Sequence, residues 1–376
     1  MGIFDPAATV ARLERAFAEI IAETTYGGAA LAVWQEGKPL LSLFGGEASP
    51  GISWIQSTPC LIWSASKGIA AACALRALQS SADLRCPVGA LLRDFNCNAK
   101  EQITFLDLLS HRAGLAAIDR KGLSLTDHKA VVSALNAQPP NWMLDGSHGY
   151  GARTFGFLLD EIIRWITNDV TLAEYWEHIF RAPLGLDIWF GLPEEKLNLA
   201  ATVIAPKSPP VPSDFSRAFG DPSSLTRRAL SEPNSNLGIL TPSVMNTPEM
   251  RMTSIPSLGV IATADSLARF YAMLAGDGGG FFQPETLSAM RTTLARGLDR
   301  VLLEETCFSA GFMTNDFGVY GPSRSAFGHP GAGGSLGFAD PELGLGFAFI
   351  PSAMNPGALP GPRTQKLVRA LYGITG

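Results

Sequence analysis

The pattern of hydrophobic and polar positions divides the chain into three stretches. In the first stretch, apolar residues recur at helical spacing over residues 5–21, which predicts an N-terminal helix. Asp5 would be the N-cap of this helix and Pro6 its first residue. Two short apolar runs at 30–34 and 39–44, joined by Gln-Glu-Gly-Lys, predict a β-hairpin. From Ser66 onward an Ala- and Leu-rich segment predicts a second helix.

The second and third stretches differ from each other in pattern. The second has helical spacing at 104–110, 127–137, 153–166 and 171–180, and it then becomes rich in Pro, Ser and Asn, with little periodicity, from about 205. The third predicts helices at 264–275 and 362–372, and strands at 325–330, 335–339 and 345–350.

Strands near both ends of the chain with helices between them predict an α/β (α+β) fold in two parts. Residues 1–82 and 255–376 are expected to form one discontinuous α/β domain, and residues 83–254 a mainly helical lobe. Within that lobe, 205–254 is predicted to be an irregular segment that lines a cleft, because long loops in compact enzymes often shape one. Active sites commonly lie between two such parts.

Composition and charge argue against two properties of the protein, a nucleic-acid partner and a membrane-spanning segment. With 46% hydrophobic and 17% charged residues, the chain is expected to be globular. Its net charge is −5 and it has no run of Lys or Arg, which argues against nucleic acid as a partner. It has no stretch of about 18 apolar residues, so no membrane span is expected. The sequence does not indicate an oligomeric state.

The cysteines and the N-terminus bear on the cellular compartment in which the protein is expected. Five cysteines at scattered spacings, without a C-x-x-C pair, argue against a disulfide framework and against a zinc site. The N-terminus does not have the basic and apolar regions of a secretory signal. We therefore expect a cytoplasmic protein.

The first candidate for chemistry is Ser64-Ala65-Ser66-Lys67. Lys67 is the only lysine with a serine three residues before it, and a helix there would place both side chains on one face. The helix N-terminus would stabilise negative charge on the Ser64 oxygen, and a partly desolvated Lys67 would accept its proton. The alternative is a capping serine followed by a solvent-exposed lysine. The apolar segment after Lys67 favours a buried, functional lysine.

Two further candidates lie on glycine-rich segments. Tyr150 precedes a predicted helix, where a phenol touching Lys67 would exist partly as phenolate and relay protons; the alternative is a packed ring that caps the helix. His329-Pro330-Gly331 lies at a predicted strand end, where the amide of Ala332 would join that of Ser64 as an oxyanion hole. The alternative is a glycine-rich hairpin with a surface histidine.

Other motif-like features are interpreted as structural or accidental. Residues 333–337 match G-x-S-x-G, but that nucleophile elbow requires a strand, a turn and a helix with a later histidine, and strand-like sequence follows Ser335. The remaining histidines have no metal-binding spacing and are interpreted as structural, although one of them, His148, is only two residues from Tyr150; they are His111, His128, His148 and His178.

With these elements in this order, the sequence resembles the serine β-lactamase and penicillin-binding-protein superfamily, nearest to class C β-lactamases and family VIII carboxylesterases. Longer segments carry the resemblance as well: ITFLDLLSHRAGL (103–115), APLGLDIWFGLP (182–193) and SLGVIATADSLARFYAMLAGDG (257–278). The resemblance implies a β-lactamase/transpeptidase-like fold, in which an antiparallel sheet is flanked by helices and joined to an all-helical lobe.

The resemblance also implies roles for individual residues. Ser64 would be the acylated nucleophile and Lys67 its general base, and Tyr150 would assist proton transfer to the leaving group and activate the deacylating water. His329 stands where the family often has the lysine of K-T-G, and Gly331 and Ala332 would contribute to substrate binding and the oxyanion hole. No cofactor and no metal are implied.

Two departures from the family pattern bear on the substrate. The family's Y-x-N is Tyr150-Gly151-Ala152 here, and K-T-G is His329-Pro330-Gly331. Both changes weaken recognition of an anionic acylamino substrate and leave acyl transfer intact. We therefore expect a serine carboxylesterase that acts on a small-molecule substrate, either an ester of a short acid or an aryl ester. The alternatives are a β-lactamase, a D-amino acid peptidase, an acyltransferase, an acylated sensor that does not turn over, and a purely structural module.

Overall fold

The computed structural model describes residues 4–207, 212–233, 242–357 and 359–374. The strands in this part of the chain are β1 (Gly28–Gln35), β2 (Lys38–Ser49), β3 (Ile52–Ser53), β4 (Cys60–Leu61), β5 (Ile188–Trp189), β6 (Ile261–Ala262), β7 (Ala295–Leu298), β8 (Glu305–Phe308), β9 (Met313–Thr314), β10 (Phe327–Pro330), β11 (Leu336–Asp340) and β12 (Leu345–Pro351).

The helices of the same described residues are α1 (Pro6–Glu23), α2 (Ser66–Leu78), α3 (Phe105–Leu109), α4 (His128–Ala137), α5 (Thr154–Thr167), α6 (Leu172–Trp176), α7 (Ala182–Leu184), α8 (Asp214–Gly220), α9 (Leu225–Ser231), α10 (Pro248–Met252), α11 (Ala264–Ala275), α12 (Pro284–Arg291) and α13 (Pro362–Tyr372). Within these residues no helix is both long enough and apolar enough to cross a bilayer. All five cysteines are free.

A nine-stranded antiparallel sheet forms the centre of the described structure. Its order is β3-β2-β1-β12-β11-β10-β9-β8-β7, so the N-terminal hairpin pairs directly with the C-terminal strands, from Ala29 opposite Pro351 to Gln35 opposite Leu345. A separate three-stranded sheet has the order β4-β6-β5. Sequence ends that are far apart in the chain thus build one sheet, as the discontinuous α/β arrangement requires.

Alternate residues of β1 enter two different hydrophobic cores, as the two-residue period of a strand dictates. Leu31 and Val33 pack in the core that includes residues of α1 and α13, whereas Ala30 and Ala32 pack in the core that includes residues of α11. On the α11 side the strands carry small residues because the helix lies very close. A Cβ at Gly346 would come within 2.1 Å of the Ala268 carbonyl oxygen, so glycine is required there.

Helix α2 is buried on all sides, with Arg76 the exception, and therefore lies inside the molecule rather than on its surface. It contacts α5 and α6 of the helical region and β10 of the large sheet. The start of α2 is thus placed where the helices meet the sheet. This is the place where the sequence predicted an active site.

The elements with strong periodicity are confirmed. Helix α1 begins at Pro6 with Asp5 as its cap, and α11 and α13 have the predicted limits. The hairpin of β1 and β2 and the three strands β10 to β12 are also present. The antiparallel sheet flanked by helices confirms the predicted fold class.

The structure differs from the sequence prediction in several places. Strands β3 to β9 and helices α7 and α12 were not predicted. Segment 205–254 is not wholly irregular, because α8, α9 and α10 lie in it, each begun by a capping Ser or Thr. Residues 208–211 and 234–241 of that segment lie outside the described residues. The division into two domains and the cleft-lining role of 205–254 stay predictions; β5, which lies in the predicted helical lobe, pairs with β6 of the predicted α/β domain.

Candidate active site

Ser64 lies on a single 3₁₀ turn, Trp63–Ala65, that leads directly into α2. The turn is strained at Trp63, whose φ of 50° is rare for a bulky residue. Ser66 fixes the turn: its hydroxyl donates to the Trp63 carbonyl oxygen at 2.5 Å and accepts from the Val260 amide at 3.1 Å. Ser64 is half-buried and lies two residues before the first residue of α2, the positive end of the helix.

The Lys67 side chain is fully buried, and its amine lies within reach of three oxygen atoms. The Nζ–O distances are 3.3 Å to Ser64 Oγ, 2.8 Å to the Ala152 carbonyl oxygen and 2.8 Å to the Ser257 carbonyl oxygen. A neutral amine has two hydrogens and one lone pair. Since carbonyl oxygens only accept, the two hydrogens are held by the carbonyls and the lone pair is left for the Ser64 hydroxyl.

The surroundings of Lys67 favour this neutral amine. Burial lowers the pKa of Lys67 well below its ordinary value, and the positive charge of Arg153 lowers it further. The amine is therefore able to accept the proton of Ser64, as a general base must. The alternative of a solvent-exposed lysine is wrong.

Tyr150 forms the side of the site next to Lys67. The Lys67 amine lies 4.8 Å from the centre of the Tyr150 ring, and the ring of His329 lies 5.9 Å from it. The phenol oxygen is buried and has no hydrogen-bond partner of good geometry among the described residues. Burial raises the pKa of Tyr150 above its ordinary value, with a smaller opposing contribution from the Ser64 hydroxyl. The structure therefore favours a protonated phenol over the phenolate considered from the sequence.

His329 lies at the end of β10, buried against the same site. Its Nδ1 is 2.7 Å from the Pro330 carbonyl oxygen, so Nδ1 carries the hydrogen and Nε2 is an acceptor, which has no partner among the described residues. Burial, helped by Lys67, lowers the pKa of His329 to about 3. The ring is neutral near pH 7 and offers no positive charge to a substrate carboxylate. The alternative of a surface histidine is wrong.

Gly331 brings the segment after β10 against the Ser64 turn. A Cβ on Gly331 would lie 2.2 Å from the Ile62 carbonyl oxygen and 3.2 Å from the Ala65 amide nitrogen. Among the described residues, neither the amide of Ser64 nor that of Ala332 donates a hydrogen bond. Two amides on adjacent segments are thus free, as the predicted oxyanion hole requires.

We expect Gly331→Ala to lower kcat/KM for an ester at least about tenfold, because the methyl group forces the Ala332 amide away from Ser64. Gly220→Ala is the matched control, since no atom lies within 4 Å of its Cβ position and its φ is not positive. Steady-state kinetics per active site would check this. Equal activity of the two variants would contradict the close approach.

Ser335 is not on a nucleophile elbow. It lies in the turn between β10 and β11, which pair antiparallel with Pro330 opposite Leu336, so a strand and not a helix follows it. Its hydroxyl is buried and donates to the Ile62 carbonyl oxygen at 2.9 Å. Ser335 therefore stabilises the chain just before the Ser64 turn through this hydrogen bond.

The residues that hold Lys67 were not predicted from the sequence. Besides its carbonyl, Ser257 contributes a buried hydroxyl that donates to the Arg153 carbonyl oxygen at 2.8 Å and accepts from the Gly156 amide at 2.6 Å. It thereby ties the lysine to the start of α5. The carbonyls of Ala152 and Ser257 left no sequence signal, because every residue has one.

One of the histidines interpreted as structural contacts the site residue Tyr150. His111 Nδ1 accepts from the Gly151 amide at 3.2 Å, and its ring packs edge-on against Tyr150. His148 is buried two residues before Tyr150. His128 instead pairs with carboxylates of α5 at 2.7 and 3.2 Å. Among the described residues, no group of three or more His, Cys, Asp or Glu side chains is placed to hold a metal ion.

Comparison with known proteins identifies the family. Residues 13–370 match the beta-lactamase family. The chain belongs to that family. Within the family, it is 29% identical over 352 residues to "Esterase/beta-lactamase LipL" of Mycobacterium tuberculosis (strain ATCC 25618 / H37Rv), covering 89% of this chain and 79% of that protein.

Two solved structures superpose along nearly the whole chain. A penicillin-binding protein homologue from Caulobacter crescentus has a TM-score of 0.87 and 29% identity, with 98% of each chain covered. A family VIII carboxylesterase has a TM-score of 0.87 and 26% identity, with 100% of this chain and 99% of that one covered. The predicted membership is confirmed, and the chain has the fold of the esterase/β-lactamase type of serine hydrolase.

Proposed function

We propose that the protein is a serine carboxylesterase that cleaves small uncharged esters by two-step acyl transfer through Ser64. The observation that carries this proposal is the buried Lys67 amine, which donates to two carbonyl oxygens and lies 3.3 Å from Ser64 Oγ. A hydroxyl has to lose its proton as it attacks, and this amine is placed to take it.

In the acylation step, Ser64 Oγ bonds to the ester carbonyl carbon while its proton moves to Lys67. The carbonyl oxygen becomes an oxyanion between the amides of Ser64 and Ala332, an interaction worth roughly 3–4 kcal/mol for each donor. The Tyr150 phenol gives its proton to the leaving alcohol and regains one from Lys67. The carbon–oxygen bond then breaks, the alcohol leaves, and the acyl group stays on Ser64.

In the deacylation step, water attacks the acyl carbon and gives a proton to the Tyr150 oxygen, while the proton of the phenol moves to the neutral Lys67 amine. The same two amides hold the second oxyanion. Ser64 takes back its proton as the acid leaves, so the site returns to its starting state. Each step uses side chains and amides that lie around Ser64, with no further group required.

The substrate preference rests on the two departures from the family pattern. Ala152 has no side-chain amide to bind an acylamino group, and the position contributes its carbonyl to Lys67 instead. His329 is neutral, so it lacks the charge with which a lysine binds a carboxylate. A β-lactam carries both groups, whereas a simple ester carries neither. The second candidate is a β-lactamase, which the name of the LipL relative favours.

Turnover of a chromogenic ester and of a chromogenic cephalosporin by the same preparation tests the proposal. We expect kcat/KM to be at least about a hundredfold higher for the ester, the effect of losing one charge-assisted contact. Faster cephalosporin turnover would support the β-lactamase. Stoichiometric acylation without turnover would instead identify a sensor, and faster consumption of ester with added alcohol or amine would identify an acyltransferase.

A further inference from the structure

The turn that joins β7 to β8 holds the backbone of Tyr150 through a buried carboxylate. Asp299 is fully buried, and its Oδ1 accepts from the Tyr150 amide at 3.1 Å. The same oxygen accepts from two amides of its own turn, Val301 at 2.7 Å and Leu302 at 2.9 Å. One carboxylate oxygen therefore fixes the turn and the Tyr150 loop to each other.

The second oxygen of Asp299 faces two side chains. Thr306 Oγ1 donates to Oδ2 at 3.3 Å, and His148 Nε2 lies 3.8 Å from it and 2.7 Å from the Thr306 hydroxyl. The His148 carbonyl oxygen in turn accepts from the Arg300 amide at 3.0 Å. The loop before Tyr150 is thus attached to the β7–β8 turn on both sides of Gly149.

The electrostatics show why this carboxylate needs so many donors. Burial raises the pKa of Asp299 and lowers that of His148, because each charged form loses its water. The three amides and the nearby His148 act in the opposite direction on Asp299. A buried carboxylate without such partners is strongly destabilising, so the stability of Asp299 in the fold depends on the position of the Tyr150 loop.

The same hairpin also supports the ring of Tyr150. Phe308 on β8 stacks parallel to that ring, with 6.1 Å between the centres and 9° between the planes. It also packs edge-on against the rings of His111 and His148. The hairpin of β7 and β8 therefore fixes both the backbone and the ring of the residue that faces Lys67.

We propose that Asp299 is the positioning residue of Tyr150: its carboxylate holds the Tyr150 amide so that the phenol stays beside Lys67 and Ser64. This rests on the proposed function, in which the phenol carries a proton to the leaving alcohol. Without the carboxylate, the loop shifts and proton transfer is impaired. A misplacement of about 1 Å lowers a rate about a hundredfold.

A double-mutant cycle with Asp299→Ala and Tyr150→Phe tests this proposal. Tyr150→Phe alone is expected to lower kcat/KM about a hundredfold by removing the proton carrier. Asp299→Ala is expected to lower it about 30- to 100-fold in the native background but less than about threefold in the Tyr150→Phe background, because no hydroxyl is left to misplace. Asp299→Asn should recover most of the activity, since its amide oxygen still accepts from three backbone amides.

All rates are normalised to the amount of Ser64 that a phosphonate labels, so that misfolded protein does not count. Asp340→Ala is the matched control: Asp340 is also fully buried and accepts from Glu342, Ser323 and Tyr372, none of which belongs to the Tyr150 loop. Its effect should be the same factor in both backgrounds. If Asp299→Ala does not fold, Thr306→Val takes its place, since it removes the bridging hydroxyl and keeps the shape.

Two failures are distinguishable in this experiment. Equal losses for the Asp299 variant in both backgrounds, with active wild-type enzyme, would overturn the positioning role and leave the esterase proposal standing. Wild-type protein that neither hydrolyses an ester nor reacts with the phosphonate at Ser64 would overturn the proposed function, and the positioning role with it.

Discussion

Ser64→Ala is expected to lower ester hydrolysis by at least about four orders of magnitude, because Ser64 has the only hydroxyl among the described residues that lies within hydrogen-bonding distance of the buried amine. The variant keeps the amide of residue 64, so part of the oxyanion stabilisation remains and the loss is in the chemical step. Loss of a small side chain at a helix start costs about 1 kcal/mol, so folding should be nearly unchanged. Steady-state kinetics and thermal unfolding of the two proteins measure both effects.

Covalent labelling compares the wild-type protein with Ser64→Ala without relying on the rate of ester hydrolysis. A reactive phosphonate should add one group to the wild-type chain and none to Ser64→Ala, as read by intact-mass spectrometry. Ser335→Ala is the matched control, since Ser335 lies next to the same turn but donates to a carbonyl oxygen. It should keep the label. Retained hydrolysis in Ser64→Ala together with its loss in Ser335→Ala would contradict the assignment of the nucleophile.

Lys67→Met is expected to lower kcat/KM by about three orders of magnitude, within the range that a lost general base costs. Methionine has a similar length and fits a buried site, but it cannot accept a proton. Lys100→Met is the matched control: Lys100 is also fully buried and donates to two carbonyl oxygens, Asn136 at 3.0 Å and Gln138 at 2.7 Å, but not to a serine. Comparable losses in the two variants would mean that Lys67 serves only the fold.

The pH dependence of kcat/KM follows from the same residues. At low pH Lys67 is protonated and cannot accept the Ser64 proton, so the rate should rise with pH through the lowered pKa of Lys67 and then level off. His329, whose pKa is about 3, stays neutral across this range and does not cause the rise of kcat/KM. The raised pKa of Tyr150 keeps its phenol protonated, so no fall is expected below about pH 10. In Lys67→Met, kcat/KM should no longer rise with pH in this range.

Local patterns allowed much of the fold to be predicted. Helix α11 and the strands β10 to β12 have capping residues, glycine turns and apolar runs within a few residues of one another. Strands β7 to β9 were missed because they have two to four residues each and no regular alternation. Long-range pairing, and not local preference, makes them strands.

The candidate site also has a local part, which the sequence reveals, and a long-range part, which it does not. Ser64 and Lys67 are three residues apart, so one helical turn brings them together and a motif reveals them. The carbonyls that orient Lys67 belong to residues 85 and 190 positions away, and Asp299 is 149 positions from the amide it holds. Such partners become visible only when the helices and the sheet are assembled.

In the proposed mechanism, Ser64 transfers its proton to an amine whose pKa burial lowers well below that of an ordinary lysine. This transfer is tested by the rate at which an uncharged phosphonate reacts with Ser64, followed by mass spectrometry as a function of pH. We expect the rate to reach a plateau well below pH 10.5, the ordinary pKa of lysine, with the label on Ser64. A rate that keeps rising through pH 10.5, or a label on another residue, would contradict it.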